Sequence, residues 1–344
     1  MNQPTKSALS SAAPVMLAAE ARHGGEPASP IARDRHLWAI VLAAGEGTRM
    51  AALTTALHGR AIPKQFASLF GTRTFIQRTV DRILPLVPAS RIVVVVADNQ
   101  YELATSQLAE FRGIAIVRQP ANRGTSAGVL LPLAHVLARD PDARVVVFPS
   151  DHHIERPSQF ARAIRHSIEA ADSAAMGVSL VGSVADGPAT DLGWIVCHDE
   201  TDEAGRPPGP GRRVSRFVEK PALDEAVELH RRGALWNTFI LSARGCALWV
   251  LASRHVPAVA LALGEHQRRI GGAGERRHLE EIYSALPSTD LSRDVLQRGH
   301  GLHAVAMTDA GWSDCGTPDR LARATGSHAA SAFDSVPAGL QAAC

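Results

Sequence analysis

Apolar and polar positions along this chain repeat at two different periods, and the period decides the element. Four short, nearly continuous apolar runs, WAIVLAA at 38–44, RIVVVVA at 91–97, IAIV at 114–117 and RVVVFPS at 144–150, have the length and β-branching of strands buried on both faces. The stretches TFIQRTVDRIL (74–84), NQYELATSQLAEF (99–111) and SAGVLLPLAHVLA (126–138) space their apolar residues three and four apart, which predicts amphipathic helices. Strand and helix in alternation build βαβ units with right-handed crossovers. The first half is therefore expected to be a doubly wound α/β fold with a mostly parallel, Rossmann-like sheet. Beyond residue 172 the pattern is mixed, with strands expected at 174–181, 193–197, 213–219 and 236–242 and helices near 222–232 and 243–254. The Gly/Pro-rich EAGRPPGPGR (203–212) reads as a hairpin loop in this mixed α+β part.

The ends of the chain lack either period. Residues 1–36 are rich in Ala, Ser and Pro, and Ser-Ser and Pro14 interrupt the segment ALSSAAPVMLAAEA that follows Lys6, so a disordered leader is expected rather than a secretory signal. The tail at 327–344 reads the same way. Between them, 37–326 is expected to form one domain, with a doubly wound half at about 37–172 and a mixed half at about 173–326. Across 344 residues the hydrophobic fraction is 45 %, enough to fill a large core. No apolar run approaches the length that crosses a bilayer.

Charge and cysteine content narrow the chemistry. A formal net charge of +2 gives no global field for nucleic acid or an anionic membrane, so an anionic ligand must be recognised locally. Cys197, Cys246, Cys315 and Cys344 are scattered without CxxC spacing, which fits a reducing, cytoplasmic compartment. The fifteen histidines show no HExxH spacing, and adjacent His152 and His153 read as strand-end residues.

In a doubly wound sheet, ligands bind beyond the carboxyl ends of the strands. There the chain carries GEGTRM (45–50), whose glycines let backbone N–H groups approach a phosphate and whose Arg49 adds charge. It is neither GxGxxG nor a P-loop. Lysine is rare: only Lys6, Lys64 and Lys220 occur among 36 basic residues, so the two outside the leader stand out as point charges suited to phosphate.

Taken together, LAAGEGTRM, PKQF, NRGTSAGVLLPLA (122–134), FPSDHHI (148–154), GWIV (193–196), FVEKP (217–221), WNTFIL (236–241) and WSDCGTPDRL (312–321) resemble, in order, the nucleotidyltransferases that join a nucleoside triphosphate to a sugar 1-phosphate. PSDH, FVEKP, WN and WSDCG most resemble the mannose-1-phosphate guanylyltransferases, or GDP-mannose pyrophosphorylases. The chain stops soon after the last motif, so no C-terminal isomerase or β-helix domain is expected.

The resemblance implies transfer of a nucleotidyl group with release of pyrophosphate, GTP and mannose 1-phosphate giving GDP-mannose. It implies Mg2+, with Mn2+ as a substitute, held by Asp151 and Asp314; an ordinary helix cap is the competing account of each. Lys64 is assigned to the α-phosphate, Lys220 to the sugar phosphate and Arg49 to the departing pyrophosphate. Nucleotide contacts fall to Ala43, Ala44, Gly45, Gly47, Thr48, Gln119, Asn122, Gly124 and Thr125, and sugar contacts to Gly193, Glu219 and Asn237. Trp236 is expected in the core. A uridylyl- or thymidylyltransferase acting on another hexose 1-phosphate, or a catalytically weak nucleotide-sugar-sensing subunit, stays open, as does a homodimer.

Overall fold

The computed structural model describes residues 34–198 and 209–326. The β-branched runs form strands β1 (Leu37–Ala43), β2 (Ile92–Ala97), β3 (Ala115–Gln119) and β4 (Arg144–Pro149). Between them lie α1 (Ala51–His58), α2 (Phe75–Ile83), α3 (Tyr101–Leu108) and α4 (Gly124–Arg139). There follow β5 (His153–Ile154), α5 (Pro157–Ser173), β6 (Val178–Val184), β7 (Gly193–Cys197), β8 (Arg212–Glu219), α6 (Leu223–Arg231) and β9 (Leu235–Arg244). The chain continues through α7 (Gly245–His255), α8 (Pro257–Gln267), α9 (Glu275–Ala285), a π-helical turn at Leu291–Leu296, β10 (His303–Met307), β11 (Trp312–Ser313) and α10 (Pro318–Thr325).

Nine strands make one sheet in the order β3-β2-β1-β4-β9-β6-β10-β8-β7, and β5 pairs with β11 in a separate ribbon. The mostly parallel sheet expected of the first half is present, but the sheet as a whole is mixed and not mostly parallel. β3, β2, β1 and β4 are parallel, but β9 runs antiparallel to both β4 and β6, and β8 runs antiparallel to β10 and β7. The sheet continues unbroken across residue 172. Apolar runs on β2 bury both faces: Val93 and Val95 pack with Leu130 and Leu133 of α4, while Val94 and Val96 pack with Ile76 and Val80 of α2. All four valines are inaccessible to solvent, a contribution of roughly 1.5–3 kcal/mol each. Helices α4, α7, α8 and α9 cover the first face, and α2, α3 and α5 the second.

Local differences have local causes. Strand β6 starts at Val178 rather than 174 because α5 runs to Ser173 and the chain turns at Gly177, whose φ is +65°. Asp34 and His36, assigned by composition to the leader, tie onto the domain through Arg144 and Asp140. The remaining leader, the tail and 203–208 of the expected hairpin loop lie outside the described residues, although β7 and β8 do pair antiparallel on either side of that loop.

Candidate active site

The carboxyl ends of β1 and β4 open onto a cleft of about 510 Å3, and the antiparallel run of β9 brings its first residues to the same edge. Of the residues singled out from the sequence, Ala44, Gly45, Arg49, Gln119, Asn122, Gly124, Thr125, Asp151, Gly193, Glu219, Lys220, Asn237 and Asp314 line it. Ala43, Gly47, Thr48 and Lys64 do not.

At one end, the loop before α4 is zipped to the 289–291 segment. Ser126 N–H donates to Thr289 O (3.1 Å), Thr289 N–H to Arg123 O (3.2 Å) and Leu291 N–H to Thr125 Oγ1 (2.7 Å). Thr125 Oγ1 in turn donates to Asp290 (3.1 Å), and Arg123 is anchored on the Tyr283 and Ser284 carbonyls. Only glycine fits at 124, where φ is +79° and a Cβ would strike the Thr289 backbone. Gln119 is buried behind this loop; its Nε2 donates to Ala121 O, whereas its Oε1 has no protein partner. The glycine loop after β1 is braced by Gln65, which donates to the Ala43 and Gly45 carbonyls, and by Gln100, which donates to Gly45 O. Gly47, at φ +66°, lets that loop pass over Lys64 N, where a Cβ would sit at 2.7 Å.

Two carboxylates occupy the middle. Asp151 follows β4 in a turn pinned by Ser150 Oγ to Leu42 O (2.7 Å), Thr79 Oγ1 to Ser150 O (3.1 Å) and Arg82 to His152 O (3.0 Å). Asp314 follows β11, which β5 holds in place. Neither caps a helix, because α5 begins after Arg156 and α10 after Thr317. Lys64 lies beneath them, 4 % exposed, with Nζ 3.0 Å from Asp151 Oδ2 and donating to Asp314 O. Its ammonium is thus engaged by the carboxylate floor instead of facing the cleft. Burial would raise the Asp151 carboxyl, but Lys64 and neighbouring His152 outweigh it and hold it below the usual range. His152 accepts from Trp312 Nε1 (3.1 Å), and burial keeps its ring neutral, lowered to about 4.

Asp314 has a cation of its own. Arg320 reaches it at 3.1 Å and clamps Asp191 with two bonds of 2.6 and 2.9 Å. Arg49, 68 % exposed, stands 3.9 Å from Asp191 and is otherwise free to turn into the cleft. As a metal site the pair has oxygen donors only, suited to a hard cation that keeps substrate oxygens and water in its remaining positions. Gly316 leaves open the cradle beside Asp314, where a Cβ would press on Oδ2. The residues present fit Mg2+.

The other end is built on β7, β8 and β9. Gly193 pairs with Glu219, and a Cβ there would sit 2.7 Å from Glu219 Oε2 and 3.3 Å from Asn237 Cβ. Burial, with Asp290 nearby, raises the Glu219 carboxyl above its ordinary value. In β9 the register slips from Val181↔Ile240 to Gly182↔Asn237, so Thr238 and Phe239 bulge out toward the cleft, Phe239 at φ +58°. Exposed Lys220 also has a left-handed backbone, φ +50°. Trp236 is core, packed edge-on against Trp194. Asp191, Asp290, Ser292 and Arg320 were not anticipated: the first three line the cleft, and all four act through contacts that no local pattern marks.

Comparison with known proteins gives a family for this fold. Among curated proteins, the chain is 28 % identical over 281 residues to the alginate biosynthesis protein AlgA of Pseudomonas syringae pv. tomato, covering 80 % of this chain and 56 % of that one. It is 27 % identical over 287 residues to the mannose-1-phosphate guanylyltransferase of Escherichia coli K12, covering 82 % and 58 %. The chain therefore spans just over half the length of these relatives. A crystal structure described as mannose-1-phosphate geranyltransferase from Thermus thermophilus superposes with a TM-score of 0.72 at 29 % identity, covering 84 % of this chain and 79 % of that one. No helix among the described residues is long and apolar enough to cross a membrane. Residues 38–256, well over half of the chain, match the nucleotidyl transferase family, and the chain belongs to it.

Proposed function

We propose that this protein transfers a nucleotidyl group from a nucleoside triphosphate to a sugar 1-phosphate, with GTP and mannose 1-phosphate as the substrates and GDP-mannose and pyrophosphate as the products. The observation that carries the reading is one cleft with a glycine-loop end, a sugar-suited end of Glu219, Lys220 and Asn237, and Asp151 and Asp314 between them. A phosphate oxygen of the sugar substrate attacks the α-phosphorus as the bond to the β-phosphate oxygen breaks, so both polyanions must be held in line against their repulsion.

Asp151 and Asp314 would hold Mg2+, or Mn2+ in its place, which supplies charge neutralisation for the phosphates. Lys64 keeps Asp151 in position and places one positive charge under the path of the α-phosphate. Exposed Arg49 meets the departing pyrophosphate, and Lys220 grips the sugar phosphate. The unpartnered Oε1 of Gln119 is an acceptor for a base edge that donates, as guanine does through N1–H and N2–H2. The similarity to mannose-1-phosphate guanylyltransferases supports the same choice.

The test is pyrophosphate release from a panel of four nucleoside triphosphates against several sugar 1-phosphates, with and without Mg2+. GTP with mannose 1-phosphate is expected to give the highest kcat/KM, and chelation to abolish turnover. Preference for UTP or dTTP with glucose 1-phosphate overturns the substrate assignment, and no release with any pair overturns the enzymatic one.

A further inference from the structure

A second polar cluster lies on the sheet face covered by α4, α8 and α9, away from the carboxylate pair. His135 stands in the last third of α4, His266 in the last turn of α8 and Glu275 at the first position of α9. Glu275 Oε1 is 3.8 Å from His135 Nε2 and 3.9 Å from His266 Nε2, and the three candidate donor atoms all lie within 4.8 Å of one another. His266 is completely buried, yet neither of its ring nitrogens has a hydrogen-bond partner, and His135 Nε2 is also without one. Orphaned polar atoms in such a position call for an explanation.

From this geometry we infer that His135, His266 and Glu275 form a binding site for one transition-metal cation of the Zn2+ class. Two imidazoles and a carboxylate suit such a cation, whereas Mg2+ takes oxygen ligands. With metal–ligand bonds of about 2.0–2.2 Å, tetrahedral ligands stand about 3.4 Å apart, so the two imidazole–carboxylate distances need to contract by about half an ångström and the imidazole–imidazole distance by at most about 1.4 Å, within reach of side-chain adjustment. The carboxylate is already oriented: its other oxygen, Oε2, accepts from Gly271 N–H at 2.7 Å and leaves Oε1 toward the imidazoles. The ring of His278 stacks on His266 and restrains its plane. His135 and Glu275 also line a cavity of about 510 Å3, which gives the ion an entry path and a place for water in the fourth position.

Such an ion would staple three helices that share few backbone ties. The site lies about 16 Å along α4 from Gly124, at 1.5 Å per residue, and α9 ends at the carbonyls that hold Arg123. It therefore ties together the far ends of the two helices that frame the nucleotide loop. An ordinary pair of buried histidines is the competing account; it leaves three ring nitrogens unsatisfied, two of which an ion would engage, and gives Glu275 no reason to face them.

The experiment uses the tag-free, 344-residue protein, stripped of metal with a chelator and dialysed into excess Mg2+, which fills carboxylate sites and leaves imidazole sites free. Co2+ is titrated while visible d–d absorption is recorded, and Zn2+ is added in parallel thermal unfolding. One saturable equivalent of Co2+ with tetrahedral-type absorption and a Zn2+-dependent rise in Tm are expected. Glu275→Gln can still accept from Gly271 N–H and is expected to fold, so its apo Tm should match wild type while Co2+ affinity falls at least about tenfold and the Zn2+ shift disappears. No saturable absorption in the wild-type protein overturns the inference. So does absorption retained at full strength in Glu275→Gln, or a wild-type Tm indifferent to Zn2+.

Discussion

Replacing Gly193 by alanine tests the sugar end with a single methyl group. Gly193 does not have a left-handed φ, so the backbone accepts the change, and the effect arises from what the new Cβ meets. That atom would stand 2.7 Å from Glu219 Oε2, 3.1 Å from Phe217 Cζ and 3.3 Å from Asn237 Cβ. Phe217 and Asn237 need to give by a few tenths of an ångström, whereas the carboxylate must retreat by about 0.8 Å to reach an ordinary contact of roughly 3.5 Å. Hydrogen bonds occupy a window only about half an ångström wide, so a displacement of that size removes Glu219 from a sugar hydroxyl. Losing a bond to a charged acceptor costs roughly 1.5–3 kcal/mol, or about ten- to a hundredfold in binding. Initial rates at saturating nucleotide and varied sugar 1-phosphate should show that rise in the sugar KM, with the nucleotide KM unchanged. Because glycine-to-alanine exchange also restricts the unfolded chain, by about 0.4–1 kcal/mol, the urea midpoint should move little. An unchanged sugar KM, or a rise confined to the nucleotide, refutes the reasoning.

Gly124→Ala should fail differently: its Cβ meets backbone at φ +79°, so a stability loss of at least about 2 kcal/mol is expected as a lower urea midpoint at constant m, together with a higher nucleotide KM. Glu219→Gln should raise Tm at neutral pH while weakening sugar binding. A carboxyl whose folded pKa is raised holds its proton more tightly in the fold than when unfolded, so the native state loses stability as pH climbs through that range; the amide escapes this, and a Tm advantage that fails to shrink in acid would contradict the account. Lys220→Ala should raise KM for the sugar 1-phosphate about ten- to a hundredfold and leave the nucleotide KM alone, whereas a nucleotide effect would move Lys220 to the other substrate. Lys64→Met keeps length and removes charge beside Asp151, so kcat should fall at least about a hundredfold with folding retained in Mg2+; near-normal turnover would show that its charge is not needed.

The parallel half was legible because its strands are buried on both faces and read as unbroken β-branched runs, and α2 as a clean 3.6-residue stripe; α4, read as amphipathic, is instead buried on nearly every side from Ser126 to Val136. The second half was legible strand by strand, but its direction was not: nothing in LWNTFILSAR states that β9 runs antiparallel between β4 and β6, since pairing is decided by which neighbours are free. Helices α5, α8 and α9 passed unnoticed, and the two-residue strands β5 and β11 exist only as each other's partners. For the site, the motifs named residues far apart in the chain, and most of them do line one cleft. Their supports were invisible because they act across the sequence: Arg320 meets Asp191 across 129 positions, Arg82 meets His152 across 70 and Thr125 meets Asp290 across 165. Lys64 illustrates the limit. Its rarity marked it as functional, yet only the fold shows that its ammonium is held by Asp151 and the Asp314 carbonyl.

Strain gives an independent reason to place function here. Among the described residues, four other than glycine have positive φ, and three of them, Lys220, Phe239 and Cys315, are at the cleft or directly follow Asp314. Each such conformation costs of the order of 1–3 kcal/mol and persists only where surroundings overdetermine it. Those surroundings are present: Asn237 Oδ1 accepts from Phe239 N–H, Ser313 Oγ accepts from Cys315 N–H, and Leu192 O accepts from Lys220 N–H. The carboxylates follow the same logic, since Asp151 is matched by Lys64 and Asp314 by Arg320. A chain selected for stability alone would not aim two carboxylates into one cleft, commit a cation to each and keep three strained residues around them. That arrangement follows if the carboxylates must stand ready for a hard cation and the strained residues must present Lys220, Asn237 and Asp314 to the substrates from three different elements.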